Sequence, residues 1–250
     1  MIHARTRRLA RSTVLLISAL LLFPGSAPAQ APERRAVDVE LCLAVDGSGS
    51  IEDDEFAFQR QAYAQALTDA KVVDIVTSGF NGGIAVALME WGGPTSLHPI
   101  VDWTLIDGPQ PAADFAEALL AAPRKATGWN SISNAIAFCQ QWIESNDFEG
   151  FRKVIDVSGD AGQFGGMPLE LARGLAVEAG MVINALALNY RSGGMTGPGG
   201  MPLSEHFYRD LIGGPGAFAL TVDSEDEFLD ALIRKLILEI ASLPETPQAN

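Results

Sequence analysis

Hydrophobic and polar positions alternate between two regimes along this chain. Val37 to Val45 is rich in Val and Leu and reads as a continuous strand. Glu55 to Ala70 then carries a helical stripe through Phe56, Phe58, Ala62, Tyr63 and Leu67. Gly83 to Trp91 is a second strand and Ser96 to Ile106 a third, with Pro99 marking a sheet edge. The short turn between these two predicts a hairpin. Asp114 to Ala122 and Ser131 to Ser145 read as helices, the second placing Ile132, Ala135, Ile136, Cys139 and Ile143 on one face. Lys153 to Ser158 (strand), Pro168 to Ala179 (helix), Met181 to Asn189 (strand), Ser204 to Ile212 (helix) and Ala217 to Val222 (strand) follow. Ser224 to Ala241 is a closing helix, and Ser224-Glu225-Asp226-Glu227 has the spacing of a capping box.

Apolar strands without period-two alternation, separated by helices, predict a mostly parallel sheet with helices on both faces. The expected fold is therefore α/β and doubly wound. Without an internal repeat, residues 37–241 form one domain, and residues 242–250 are expected to be a flexible tail.

The first 29 residues have a different character. Arg5, Arg7, Arg8 and Arg11 precede an apolar run from Val14 to Phe23, and Ala27 and Ala29 end it with an A-x-A pattern. This is the layout of a secretory signal, with cleavage after Ala29 or Ala31, followed by a linker at residues 30–36. The run is short against the roughly 20 apolar residues of a membrane span, which disfavours a retained anchor. The lack of a following Cys disfavours a lipoprotein. Thr6-Arg7-Arg8 weakly resembles a twin-arginine signal, and the general export route fits better. The expected localisation is periplasmic or secreted. An oxidising compartment would permit a Cys42–Cys139 bridge, and two buried thiols in the core are the alternative.

The chain is 48% hydrophobic and 19% charged, which excludes collagen-like, coiled-coil and disordered classes. Its formal charge is −14, and without residues 1–29 it holds 13 basic and 31 acidic residues, giving −18. So acidic a surface, with no Lys/Arg stripe, argues against nucleic-acid binding. With His3, His98 and His206 as the whole histidine complement, a histidine-based site has little to draw on.

In a doubly wound sheet the ligand site lies beyond the carboxyl ends of the strands. The first strand ends in Asp46-Gly47-Ser48-Gly49-Ser50, where alternate residues turn one carboxylate and two hydroxyls to a common point while the glycines let the backbone bend. Asp160 follows a later strand, and Gly128-Trp129-Asn130-Ser131 opens the helix facing both. An all-oxygen set of this kind suits a hard cation, Mg²⁺ or Mn²⁺. The bland alternative is a hydrogen-bonded Asx/Ser turn.

Val39 to Ser50 resembles the opening of a von Willebrand factor type A (vWA) domain. The metal-ion-dependent adhesion site (MIDAS) of that family uses Asp-x-Ser-x-Ser, a later Thr and a later Asp. More narrowly, Met89-Glu90-Trp91, Val101 to Ile106, Val154 to Asp160 and Gly213 to Phe218 resemble an exported bacterial vWA-like family of unknown function, DUF1194. The resemblance covers about Val37 to Ala241. It implies six strands in the order 3-2-1-4-5-6, one antiparallel edge strand, and metal ligands Asp46, Ser48, Ser50 and Asp160. The threonine position falls on Asn130, since Thr127 lies too early.

The function this implies is metal-dependent protein binding, in which an acidic group of a protein partner completes the cation's shell. Trp129, beside the site, is the candidate partner contact. An enzyme, such as a metal-assisted hydrolase, is the rival, weakened by the lack of a positioned His or a Gly-x-Ser-x-Gly elbow. A metal-free scaffold is the third reading. Asp156 is expected to satisfy neighbouring backbone groups, Trp91 and Trp103 to pack, and Glu52 to Glu55 to complement a helix dipole. Ser192 to Leu203, rich in Gly, reads as a lid or a plain loop.

Overall fold

A computed structural model describes residues 34–190, 194 and 196–241. The expected signal (1–29), most of the linker and the tail (242–250) lie outside the described residues.

In chain order the elements are β1 (Arg35–Asp46), α1 (Asp53–Thr68), α2 (Ala70–Ser78), β2 (Ile84–Trp91), β3 (Leu97–Ile106), α3 (Pro109–Ala121), α4 (Ile132–Glu144), β4 (Phe148–Gly159), α5 (Leu169–Glu178), β5 (Val182–Leu188), α6 (Leu203–His206), β6 (Ala219–Val222) and α7 (Phe228–Ala241). One sheet runs in the order β3-β2-β1-β4-β5-β6. All pairings are parallel except the β2–β3 hairpin.

Central strands are apolar throughout because both of their faces are covered. On β1, Val39, Leu41, Leu43 and Val45 pack under Tyr63, Val72, Phe115 and Leu232 from α1, α2, α3 and α7. Cys42 and Ala44 face the other way, against Ile136 and Cys139 of α4 and Ala172 of α5. Cys42 and Cys139 are bridged, with an S–S distance of 2.01 Å, and the bridge ties β1 to α4. Trp91 is buried in the second layer, and Trp103 packs edge-on to Trp142 at 5.6 Å.

Several local readings change: β4 begins at Phe148 rather than Lys153, and the helix expected over Ser204–Ile212 is α-helical only to His206 and continues as a π turn, Phe207–Leu211. The helix expected to run to Ala70 stops at Thr68, because Asp69 is extended (φ −61°, ψ 134°). Its side chain accepts from Lys71 N–H and starts α2, whose β-branched Val72, Val73 and Val76 mask a helical face. Ser224 makes no side-chain cap bond, and a 3₁₀ turn at Glu225–Glu227 precedes α7. The capping box belongs to α1, where Glu52 and Glu55 satisfy each other's backbone N–H groups.

Asp156 bonds a side chain rather than nearby backbone. Its Oδ1 lies 2.5 Å from Lys235 Nζ of α7, and both side chains are fully buried. Lys235 also meets Glu239 Oε1 at 2.5 Å, and Asn184 Nδ2 donates to the same oxygen at 3.0 Å. A charged cluster therefore sits in the core between β4, β5 and α7.

Candidate metal centre

Register sets the site. Asp46 stands opposite Trp91 of β2, and Val45 opposite Ser158 of β4, so β1 and β4 release Asp46 and Asp160 at the same end of the sheet. Asp46 is fully buried and its Oδ1 accepts the Ser48 N–H at 2.8 Å. That Asx turn swings Ser48 Oγ to 3.0 Å from Ser50 Oγ, and the Ser50 hydroxyl donates to Asp160 Oδ1 at 3.2 Å. Neighbouring oxygens on an octahedron with metal–oxygen bonds of about 2.1 Å lie about 3.0 Å apart, so these spacings suit Mg²⁺ without rearrangement.

Asn130 comes from the loop before α4, and its side chain is buried. Thr127, by contrast, is exposed. Asp46 Oδ2 and Asn130 Oδ1 are both buried with no hydrogen-bond partner. An unmet buried acceptor costs about 1–3 kcal/mol, a penalty that a cation or its bound water removes. Together with the Ser48 and Ser50 hydroxyls and the Asp160 carboxylate, these oxygens form a donor set that fits a hard divalent ion. Among the described residues no group of three or more His, Cys, Asp or Glu is placed to hold a metal. The site thus depends on hydroxyl and amide oxygens.

Burial, and then the Asp160 carboxylate nearby, pushes the Asp46 carboxyl up to about 7, while hydrogen bonds from Ser48 and from the Asp160 backbone pull the other way. Without a cation, Asp46 resists ionising beside Asp160.

The loop after β1 is held from outside. Arg124 Nη2 donates to the carbonyls of Gly47 (3.2 Å), Ser48 (3.0 Å) and Ile51 (2.7 Å), and Nη1 donates to Asp53 Oδ1 at 2.8 Å. Its guanidinium lies over the Phe56 ring. The segment bearing Arg124 is anchored in turn: buried Glu90 accepts from Arg60 Nε at 3.0 Å and from Lys125 N–H at 3.1 Å. Neither Gly47 nor Gly49 has a positive φ. Gly47 is needed for close approach instead, since a Cβ there would lie 2.8 Å from the Ala126 Cβ. Gly128, at φ +86°, does require glycine, and its carbonyl accepts the Gly49 N–H at 2.9 Å.

The Asp160 loop leans on the Gly-rich segment after β5. Thr196 Oγ1 donates to Asp160 O at 2.7 Å and Gly162 N–H to Thr196 O at 3.0 Å. Thr196 thus buttresses the Asp160 loop; residues 191–193 and 195 lie outside the described residues.

A histidine is positioned nearby after all. Buried His206 accepts the Gln163 N–H on Nε2 at 3.3 Å and bonds Asp210 Oδ2 through Nδ1 at 2.9 Å. Both ring nitrogens are thereby engaged, so the ring offers no free base.

Trp129 is 65% exposed beside Asn130. Phe164, not among the expected contacts, is 67% exposed, and its N–H donates to Asn130 O at 2.7 Å. An aromatic inside the glycine-rich run Gly162-Gln163-Phe164-Gly165-Gly166, just after a strand end, is the signal that would have found it. Arg124 had no such signal, because its partners lie more than 70 residues away.

The family described as a protein of unknown function, DUF1194, matches residues 36–244. The chain belongs to this family. No curated protein matches it in sequence. Among solved structures it is similar to the pilus adhesin SpaC of Lactobacillus rhamnosus GG, at 14% identity over 83% of this chain and 31% of that one, TM-score 0.60. It is similar to proximal thread matrix protein 1 of the mussel byssus, at 15% identity over 83% and 47%, TM-score 0.60. One structure of that byssal protein has a zinc-occupied MIDAS motif (16% identity, 82% and 47% covered, TM-score 0.50). It is also similar to a von Willebrand factor type A protein of Catenulispora acidiphila, at 13% identity over 82% and 43%, TM-score 0.58. The chain spans less than half the length of each. These likenesses establish the vWA fold for this DUF1194 chain.

Proposed function

We propose that this chain is an exported, non-enzymatic protein-binding module that holds Mg²⁺ or Mn²⁺ through Asp46, Ser48, Ser50, Asn130 and Asp160. The observation that carries the reading is the pair of buried, donorless oxygens, Asp46 Oδ2 and Asn130 Oδ1, on loops that also bring two hydroxyls and a second carboxylate together. Ser48, Ser50 and Asn130 are neutral ligands and the two carboxylates only balance the ion's two charges, so the occupied site carries no net negative charge to repel a further carboxylate. The bound cation supplies an electrophilic position filled by exchangeable water, which an Asp or Glu of a partner protein can replace.

Other observations support this. The vWA fold is shared with a pilus adhesin and a byssal thread protein, and one form of the latter holds zinc at a MIDAS motif. Export is supported by the residue 1–29 pattern and by the Cys42–Cys139 bridge, which suits an oxidising compartment. No helix among the described residues is long and apolar enough to cross a membrane. The engaged nitrogens of His206 weaken the hydrolase rival.

Calorimetric titration of chelator-stripped protein with Mg²⁺ and Mn²⁺ tests the site. One-to-one binding that vanishes in Asp46→Ala is expected, and binding that survives the substitution rejects the ligand set. Partner capture should be lost in chelator.

Arg124→Met should leave the protein folded and weaken Mg²⁺ binding about 10–100-fold, because residues that orient ligands carry effects of that size. Unchanged affinity would show that the Asp46–Ser50 loop holds its shape without the clamp.

A further inference from the structure

We infer that the partner segment received at this face carries, within a few positions of its metal-bound acidic side chain, both an aromatic residue or proline and a lysine or arginine. The inference rests on the metal-dependent binding reading and assigns the partner's chemistry from the two unlike rims of the site.

The apolar rim comes from three loops. Trp129 precedes the proposed ligand Asn130, and the Phe164 N–H is bonded to Asn130 O at 2.7 Å, so two largely exposed aromatics border one ligand. Pro94 joins them: a Cβ on Gly165 would lie 3.4 Å from Pro94 Cγ, and one on Gly93 would lie 3.7 Å from Trp129 N. Elsewhere the exposed rings of Phe80 and Phe151 cover each other at 5.8 Å. Neither Trp129 nor Phe164 stacks on another ring among the described residues. Exposed aromatics clustered beside a polar anchor mark contact surfaces, and Trp is the residue type most enriched among energetic anchors.

The acidic rim follows Ser50 in the chain. Glu52, Asp53 and Asp54 are exposed at the start of α1. Arg124 engages Asp53 Oδ1, and the Asp53 side chain is still 97% exposed. A bare acidic peptide would be repelled by this rim and by a chain of net charge −14. Basic residues next to the coordinating acid remove that repulsion and speed association. The metal selects the acid, Trp129 and Phe164 select an apolar neighbour, and Glu52 to Asp54 select a basic one.

The test is selection of a phage-displayed random-peptide library on the immobilised full chain in Mg²⁺, eluting with chelator. Eluted peptides should carry Asp or Glu beside an aromatic residue or proline, with Lys or Arg within a few positions. Synthetic versions should bind about tenfold or more weakly to the Trp129→Ser, Phe164→Ser double variant. Selection on Glu52→Lys, Asp54→Lys should lose the basic preference and keep the apolar one. Acidic peptides without either preference, or equal affinity for the rim variants, would overturn the inference while leaving the metal site standing. If chelator releases no peptide, the inference also fails, and calorimetry separates the cases: Mg²⁺ binding preserves the metal reading, and its absence removes both.

Discussion

Asp46→Asn should make the metal-free protein more stable above neutral pH while abolishing its response to Mg²⁺. Burial and the Asp160 charge raise the folded-state Asp46 carboxyl from 3.8 to about 7. Between those values the native protein holds a proton that the unfolded chain has released, so stability falls as pH rises through this window. At about 1.4 kcal/mol per unit, the cost at pH 8 reaches at most about 4 kcal/mol. Asparagine keeps an oxygen for the Ser48 N–H and carries no charge, so it removes that penalty. Urea midpoints at pH 5 and pH 8, with and without Mg²⁺, provide the check. The variant should exceed the parent at pH 8 without metal, match it more closely at pH 5, and gain nothing from Mg²⁺. A variant less stable than the metal-free parent at pH 8 would mean that Asp46 costs nothing to bury.

Lys235→Met should destabilise the fold by about 3–5 kcal/mol at pH 8, since it leaves two carboxylates buried without their cation. Burial alone lowers the Lys235 pKa, but the Asp156 and Glu239 carboxylates outweigh it and hold the value above the ordinary one. Glu239 is pushed up to about 7 by burial and then by Asp156, with Lys235 pulling against them. A raised carboxyl pKa means that stability falls as pH rises from its unfolded value towards 7, and removing Lys235 steepens that fall. The loss should therefore be smaller at pH 5 than at pH 8. Adding Asp156→Asn should recover part of it, because one buried carboxylate, Glu239, then remains without the cation in place of two. Equal losses at the two pH values, or no recovery in the double variant, would show that Lys235 acts through packing alone.

These two clusters differ in how far they could be read from the residues. Asp46, Ser48 and Ser50 share one short loop at a strand end, and alternation alone points their side chains to one place. The central strands were equally legible, since a strand covered on both faces must be apolar throughout, and Pro99 marked β3 as an edge. The vWA resemblance supplied their order, and the backbone pairing agrees. Lys235 looked like any polar residue in an amphipathic helix. Its partner Asp156 lies about 80 residues away and was expected to bond nearby backbone.

Misreadings elsewhere have local causes. Three valines in Val72, Val73 and Val76 obscured α2, whose helical state is fixed by burial against the sheet and by the Asp69 cap. Ser224 had the right spacing for a cap but did not turn its side chain to the backbone, whereas Glu52 did.

The amino-acid pattern carried whatever depends on near neighbours: periodicity, strand ends and the Asp-x-Ser-x-Ser loop. Packing carried what depends on distant ones. Arg124 reaches carbonyls up to 77 residues away, Ser50 meets Asp160 across 110 residues, and Cys42 bonds a cysteine 97 residues on. Those meetings follow from which strands lie side by side and how the helices cover them. No short stretch of chain encodes that arrangement, because it minimises exposed apolar surface over the whole domain.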